Sequence, residues 1–107
     1  MNQNSSKSAT KRPDSDQAFD LMQEGLAISD ENPNQALELL EESARKWLKH
    51  DDKRRAAFVL HQRAALSLKN SQSPIKDLAM AARLLKNEPE ARAVVLLDLN
   101  LVLFIKD

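Results

Sequence analysis

The chain has 107 residues, with 16 basic and 16 acidic side chains, one Gly, four Pro and no Cys. That length supports one domain with a modest core and excludes a large two-lobed enzyme. The missing thiols exclude disulfides, thiolate zinc sites, iron–sulfur clusters and a cysteine nucleophile, and the single Gly25 excludes glycine-rich phosphate loops.

Leu and Ala dominate and Tyr is absent, the composition of an all-α chain. Residues 1–13 are polar, Ser-rich and basic, with Met1 and Ala9 the only apolar side chains, so they are expected to form a disordered tail. A single helical domain is expected over residues 14–107. Its first segment starts at Asp14 or Ser15, either of which can cap it. It carries Ala18, Phe19, Met22, Gly25, Leu26 and Ile28 on one side and stops at Ser29–Pro33.

The second segment, from about Asn34, has the cleanest stripe. Ala36, Leu37, Leu40, Ser43, Ala44, Trp47 and Leu48 face one way, while Glu38, Glu41, Glu42, Lys46 and Lys49 face the other. Asp51 or Asp52 can cap the third segment, Lys53 to Lys69. There Ala57, Leu60, Ala64 and Leu68 form the expected stripe, flanked by Phe58, His61 and Ala65. The fourth, Pro74 to about Lys86, takes Ser73 as its N-cap and Pro74 as its first residue, and aligns Ile75, Leu78, Ala79, Ala82 and Leu85. The fifth, Ala91 to Ile105, alternates Leu97, Leu99, Leu101, Leu103 and Ile105 with other residues in a partly strand-like way. Its Ala91-Arg92-Ala93 start and four helical predecessors favour a helix.

Groups capable of chemistry are sparse. His50 and His61 have no histidine or carboxylate four residues on to make a metal pair, and His61 between Leu60 and Gln62 reads as a packing residue. Glu38, Glu41 and Glu42 read as a solvated face, and Ser43 lacks an elbow motif or a histidine partner. No catalytic residue, metal or cofactor is therefore expected.

The charges are segregated. Asp14 to Glu42 holds nine carboxylates and no Lys or Arg, whereas Arg45 to Arg92 holds twelve cations against five acids. Complementary packing of the two halves accounts for most of this pattern. The densest cluster, Arg45, Lys46, Lys49, Lys53, Arg54 and Arg55, straddles the joint between the second and third segments. A nucleic-acid site would need aromatic platforms, and the nearby Trp47 and Phe58 are assigned to the core, so nucleic acid ranks second to protein as a partner. The fifth segment is too apolar for one buried face. Leu97, Leu101 and Phe104 are therefore expected to contact a partner or a second copy of the chain in a homodimer.

Pro33 and Pro74 lie 41 residues apart, each opening a helix of mixed small and large apolar residues. At coarse grain the chain resembles the tetratricopeptide repeat (TPR) superfamily over roughly residues 15–105. Asn34 to Ala44 looks like the second helix of a repeat, and Ile75, Ala79, Ala82 and Leu85 followed by Pro89 look like its counterpart one repeat later. Gly25, Ala27, Ala64 and Ala65 stand where small residues let first helices approach their neighbours. Residues 17–70 also resemble the three-helix microtubule-interacting and transport (MIT) domain. The resemblances imply a helical-hairpin array or compact bundle of about five antiparallel helices that binds a peptide, a helix or a partner subunit as an adaptor or regulator. The contacts would be made by Lys46, Lys49, Lys53, Arg54, Arg55, Leu97, Leu101 and Phe104. The alternative is a nucleic-acid-associated regulator using the basic joint. The polar N-terminus lacks the apolar core of a signal peptide. The apolar run Ala93 to Ile105 is too short to span a bilayer. A cytoplasmic protein with no membrane partner is expected.

Overall fold

The computed structural model describes residues 14–106, so the tail expected over residues 1–13 lies outside the described residues. Five helices follow one another: α1 (Asp14–Ala27), α2 (Pro33–Lys49), α3 (Lys53–Lys69), α4 (Ile75–Leu84) and α5 (Pro89–Lys106). No strand occurs among the described residues. The alternating pattern of the fifth segment resolves as helix. It begins at Pro89, where the missing N–H costs nothing because the first turn has no intrahelical acceptor for it.

Local chemistry sets the helix ends. The Asn32 side chain accepts from Gln35 N at 3.3 Å, and Pro33 opens α2 one residue earlier than the sequence suggests. Asp52 caps α3 by accepting from Arg55 N at 3.0 Å. Pro74 is the cap of α4 rather than its first residue, while Ser73 Oγ accepts from Ile75 N at 3.3 Å.

The ends of α2 and α3 share one design. Asp52 N donates to Trp47 O at 2.8 Å and Asp51 N to Leu48 O at 2.9 Å. At the next joint Gln72 N donates to Ser67 O at 2.8 Å and Ser71 N to Leu68 O at 3.2 Å. These are paired Schellman closures, and their pivots, Asp51 (φ 59°) and Ser71 (φ 63°), occupy the left-handed region usually left to glycine.

Each helix packs on its neighbour in sequence. Leu40, Trp47, Leu60, Leu78 and Leu85 supply much of the buried apolar surface, and Ala18, Ala36, Ala56 and Ala81 are fully buried between helices. Small residues there let the axes come close. A Cβ on Gly25 would stand 3.2 Å from Ala36 O and from the Leu40 side chain, so α1 and α2 meet where only glycine fits without a shift. Nearby, the fully buried Ser43 satisfies its hydroxyl by donating to Ala18 O at 2.6 Å. The pairings of Ala18 with Ser43 and of Gly25 with Ala36 are compatible with an antiparallel order of α1 and α2.

Helix α3 departs from the expected single stripe. It packs on both α2 and α4, so it buries Ala56, Ala57, Val59, Leu60, Ala64, Leu66 and Ser67 over more than one face. Leu68, assigned to its core stripe, is exposed, and so are Phe58 and Ala65. Arg63 ties three helices together, with Nε donating to Leu37 O of α2 at 2.9 Å and Nη1 to the buried Asp77 of α4 at 2.8 Å. The acidic and basic halves also meet at Arg63–Glu41 (3.8 Å) and at the exposed Lys69–Asp30 pair (3.0 Å), which adds little stability in water.

Candidate interaction surfaces beside α3

Two hollows flank α3. The first, about 380 Å³, is lined by Phe19 and Met22 of α1, Trp47 of α2, and Asp52, Arg54, Arg55, Phe58 and Val59 at the start of α3. Trp47 is in the core as expected, but Phe58 is not: it is 53% exposed, because its position on α3 points away from both α2 and α4 toward this opening. Phe19, half-exposed on α1, lines the same hollow.

The polar groups here form one connected set. The Arg55 guanidinium lies 5.4 Å from the centroid of the Trp47 ring, and its Nη1 donates to Asp52 Oδ2 at 2.7 Å. Burial pushes the Asp52 carboxyl up. The Arg55 backbone N–H, the Arg55 guanidinium and His50 together outweigh that and hold it below its ordinary value. Trp47 Nε1 is buried, with no acceptor among the described residues. Arg54 is exposed and makes no ion pair with any described residue.

The structure therefore brings Arg54 and Arg55 of the basic cluster to the hollow. Lys46, Lys49 and Lys53 lie around the same joint but do not line it; Lys46 is half-buried, and Lys49 and Lys53 are exposed.

The second hollow, about 320 Å³, lies between α3 and α5. It is lined by His61, Ala64, Ala65 and Leu68, by Pro74 and Leu78, and by Asp98, Leu101, Val102 and Ile105. It runs into a further recess of about 290 Å³ that shares Leu68, Pro74, Val102 and Ile105 and reaches the Ser71–Ser73 joint. Its one polar pairing is His61 Nε2 with Asp98 Oδ2 at 2.6 Å, part-buried. That bond joins residues 37 positions apart and was missed at the level of sequence. The only signal was an isolated aspartate inside the apolar run of α5.

Leu101 lines this hollow. Leu97 and Phe104 lie one helical turn to either side of it, 60% and 80% exposed. Around them Val94, Leu103 and Ile105 are exposed as well, and among the described side chains of α5 only Val95 is buried. Both hollows are thus mainly apolar recesses, the first edged by Asp52, Arg54 and Arg55 and the second by the His61–Asp98 pair. Among the described residues no group of three or more His, Asp or Glu is placed to hold a metal ion, and no helix is long and apolar enough to cross a membrane. No protein-family profile, curated protein or solved structure matches this chain.

Proposed function

We propose that this chain is a non-catalytic protein-interaction module, an adaptor or regulatory subunit that holds a peptide, a helix or a partner subunit in the cytoplasm. The observation that carries the reading is the uncovered apolar face of α5, where Leu97, Leu101 and Phe104 are exposed beside a recess that is itself apolar. Each such side chain forgoes part of the roughly 1.5–3 kcal/mol that full burial would give, and contiguous apolar patches of this kind mark interaction sites.

Within this reading the helices form a TPR-like antiparallel array. Support comes from the hollows, each framed by alternate helices, α1 with α3 and α3 with α5, over side chains of the helix between them. The second reading, a nucleic-acid regulator, gains from the exposure of Phe58 beside Arg54 and loses from Arg55, which already covers the Trp47 ring.

The test is a comparison of the wild-type chain with Leu97→Ser/Phe104→Ser. Each is immobilised and offered extract of the organism that carries it, before and after nuclease. A discrete protein that survives nuclease and is lost with the double substitution supports the module. Retention that vanishes with nuclease supports the second reading.

A further inference from the structure

The exposed face of α5 leaves open what covers it, and its spacing narrows the choice. The helix is tied down on one side only. Val95 is buried, Ala91, Leu99 and Val102 pack against the core, and Asp98 reaches His61 of α3. At about 100° per residue, Val94, Leu97, Leu101 and Phe104 fall on another stripe, turned well away from Val95, with Ile105 at its edge. Those four positions advance by three, four and three residues, the spacing along which two helices interlock their side chains. All five side chains are 51–80% exposed. Large apolar side chains left open to that degree put roughly 600 Å² of surface on this stripe, so two copies covering each other would bury about 1,200 Å², the lower end of the range for a stable interface.

From this we infer that α5 pairs with the α5 of a second copy in an antiparallel, two-fold symmetric dimer, with Leu97 of each chain against Leu101 of the other and Val94 against Phe104. The inference rests on the interaction-module reading and names its partner subunit, another molecule of this chain. The stripe is its own complement. A two-fold axis that sets position 97 opposite 101 also sets 94 opposite 104, so the smallest side chain of the stripe meets the largest. A parallel pair would put Phe104 on Phe104 and Val94 on Val94, and the helix axes would splay. Charge points the same way. Between Ala93 and Ile105 the one ionisable residue is Asp98, which is held by His61, so two copies meet without like-charge repulsion. A charged peptide or a nucleic-acid strand finds no countercharge on this stripe. Residues 1–13 of the same chain offer only Met1 and Ala9 as apolar side chains, far less than the stripe leaves uncovered.

The test is the mass of the full chain in solution, followed by analytical ultracentrifugation from about 0.1 to 100 µM. The single chain is expected at the low end and twice its 12.1 kDa at the high end. Leu97→Lys and Leu101→Glu should each weaken the association by at least about a hundredfold, since each buries an unpaired charge, with helicity by circular dichroism unchanged. Mixed in equal amounts, the two variants should regain the dimer, because the antiparallel register sets the introduced amine against the introduced carboxylate. A parallel pair would leave them apart. Leu103→Ser, at an exposed position on the far side of the same helix, should leave the association intact. A single chain at every concentration, a dimer indifferent to both charged substitutions, or no recovery on mixing overturns the inference. If the chain stays single while capture of another protein still depends on Leu97 and Phe104, the module stands and only this assignment falls. If the dimer forms and no other protein is captured, the dimer stands and the adaptor role falls.

Discussion

Helices α2 and α5 are similar in length, yet they use their apolar residues in opposite ways. α2 places them on one stripe and buries Ala36, Leu37, Leu40, Ala44 and Trp47 against neighbours on both sides in sequence. α5 is apolar nearly all round and, among its described side chains, buries only Val95, leaving Val94, Leu97, Leu101, Leu103, Phe104 and Ile105 exposed. Burial thus follows the number of faces a neighbour can cover rather than the amount of apolar surface a helix carries. The contrast separates the two kinds of work. α2 holds the fold, whereas α5 leaves much of its apolar surface in water.

Paired truncations break or sharpen this contrast most strongly. Leu40→Ala in α2 should cost about 2–5 kcal/mol in urea unfolding, whereas Leu101→Ala in α5 should stay within about 0.5 kcal/mol. Similar losses at both sites would erase the distinction. Next comes the three-helix tie. Arg63→Met removes the partner of the buried Asp77 and the donor to Leu37 O, and should cost about 1–3 kcal/mol by the same measurement. An unchanged midpoint would show that α4 is held without it.

The joint after α2 yields a pH signature. The folded-state pKa of Asp52 is lowered, so its contribution is complete above the ordinary carboxylate value and is lost as pH falls through the lowered folded value. Asp52→Ala should cost about 0.5–2 kcal/mol at neutral pH and flatten the acid limb of the stability profile. Asp52→Asn should flatten that limb while keeping most of the cap, since its carbonyl oxygen can still accept from Arg55 N. The smallest effect is a gain. Ser71→Gly should raise stability by about 0.5–1 kcal/mol, because glycine adopts the left-handed conformation of this Schellman pivot without a Cβ penalty.

Where the buried residues of a helix fall on one stripe, its role was legible in the sequence. The α2 stripe, the Asp52 cap and the burial of Leu60, Leu78 and Leu85 follow directly from spacing and turn chemistry. α3 was not legible in the same way, because periodicity searches for one stripe and the buried residues of α3 are spread over more than one face. Phe58, placed in the core by that reasoning, in fact lines the first hollow. His61–Asp98 and Arg63–Asp77 join different helices, and such pairs leave only a weak trace in sequence: a charged residue set within an otherwise apolar or alanine-rich stretch. The basic cluster was visible as a cluster, but which of its members reach an opening was not: Arg54 and Arg55 of α3 line the first hollow, while Lys53 of α3 and Lys46 and Lys49 of α2 do not.

The central claim is that the exposed face of α5 is a contact surface. The most direct measurement is site-specific photo-crosslinking in the organism that carries the chain, with the reactive side chain placed in turn at Leu97, Leu101 and Phe104 and, as control, at the exposed Lys86. The account predicts one discrete protein adduct, to a partner or to a second copy, from the three α5 positions and none from position 86. No adduct from any α5 position, or the same diffuse labelling from all four, would contradict it.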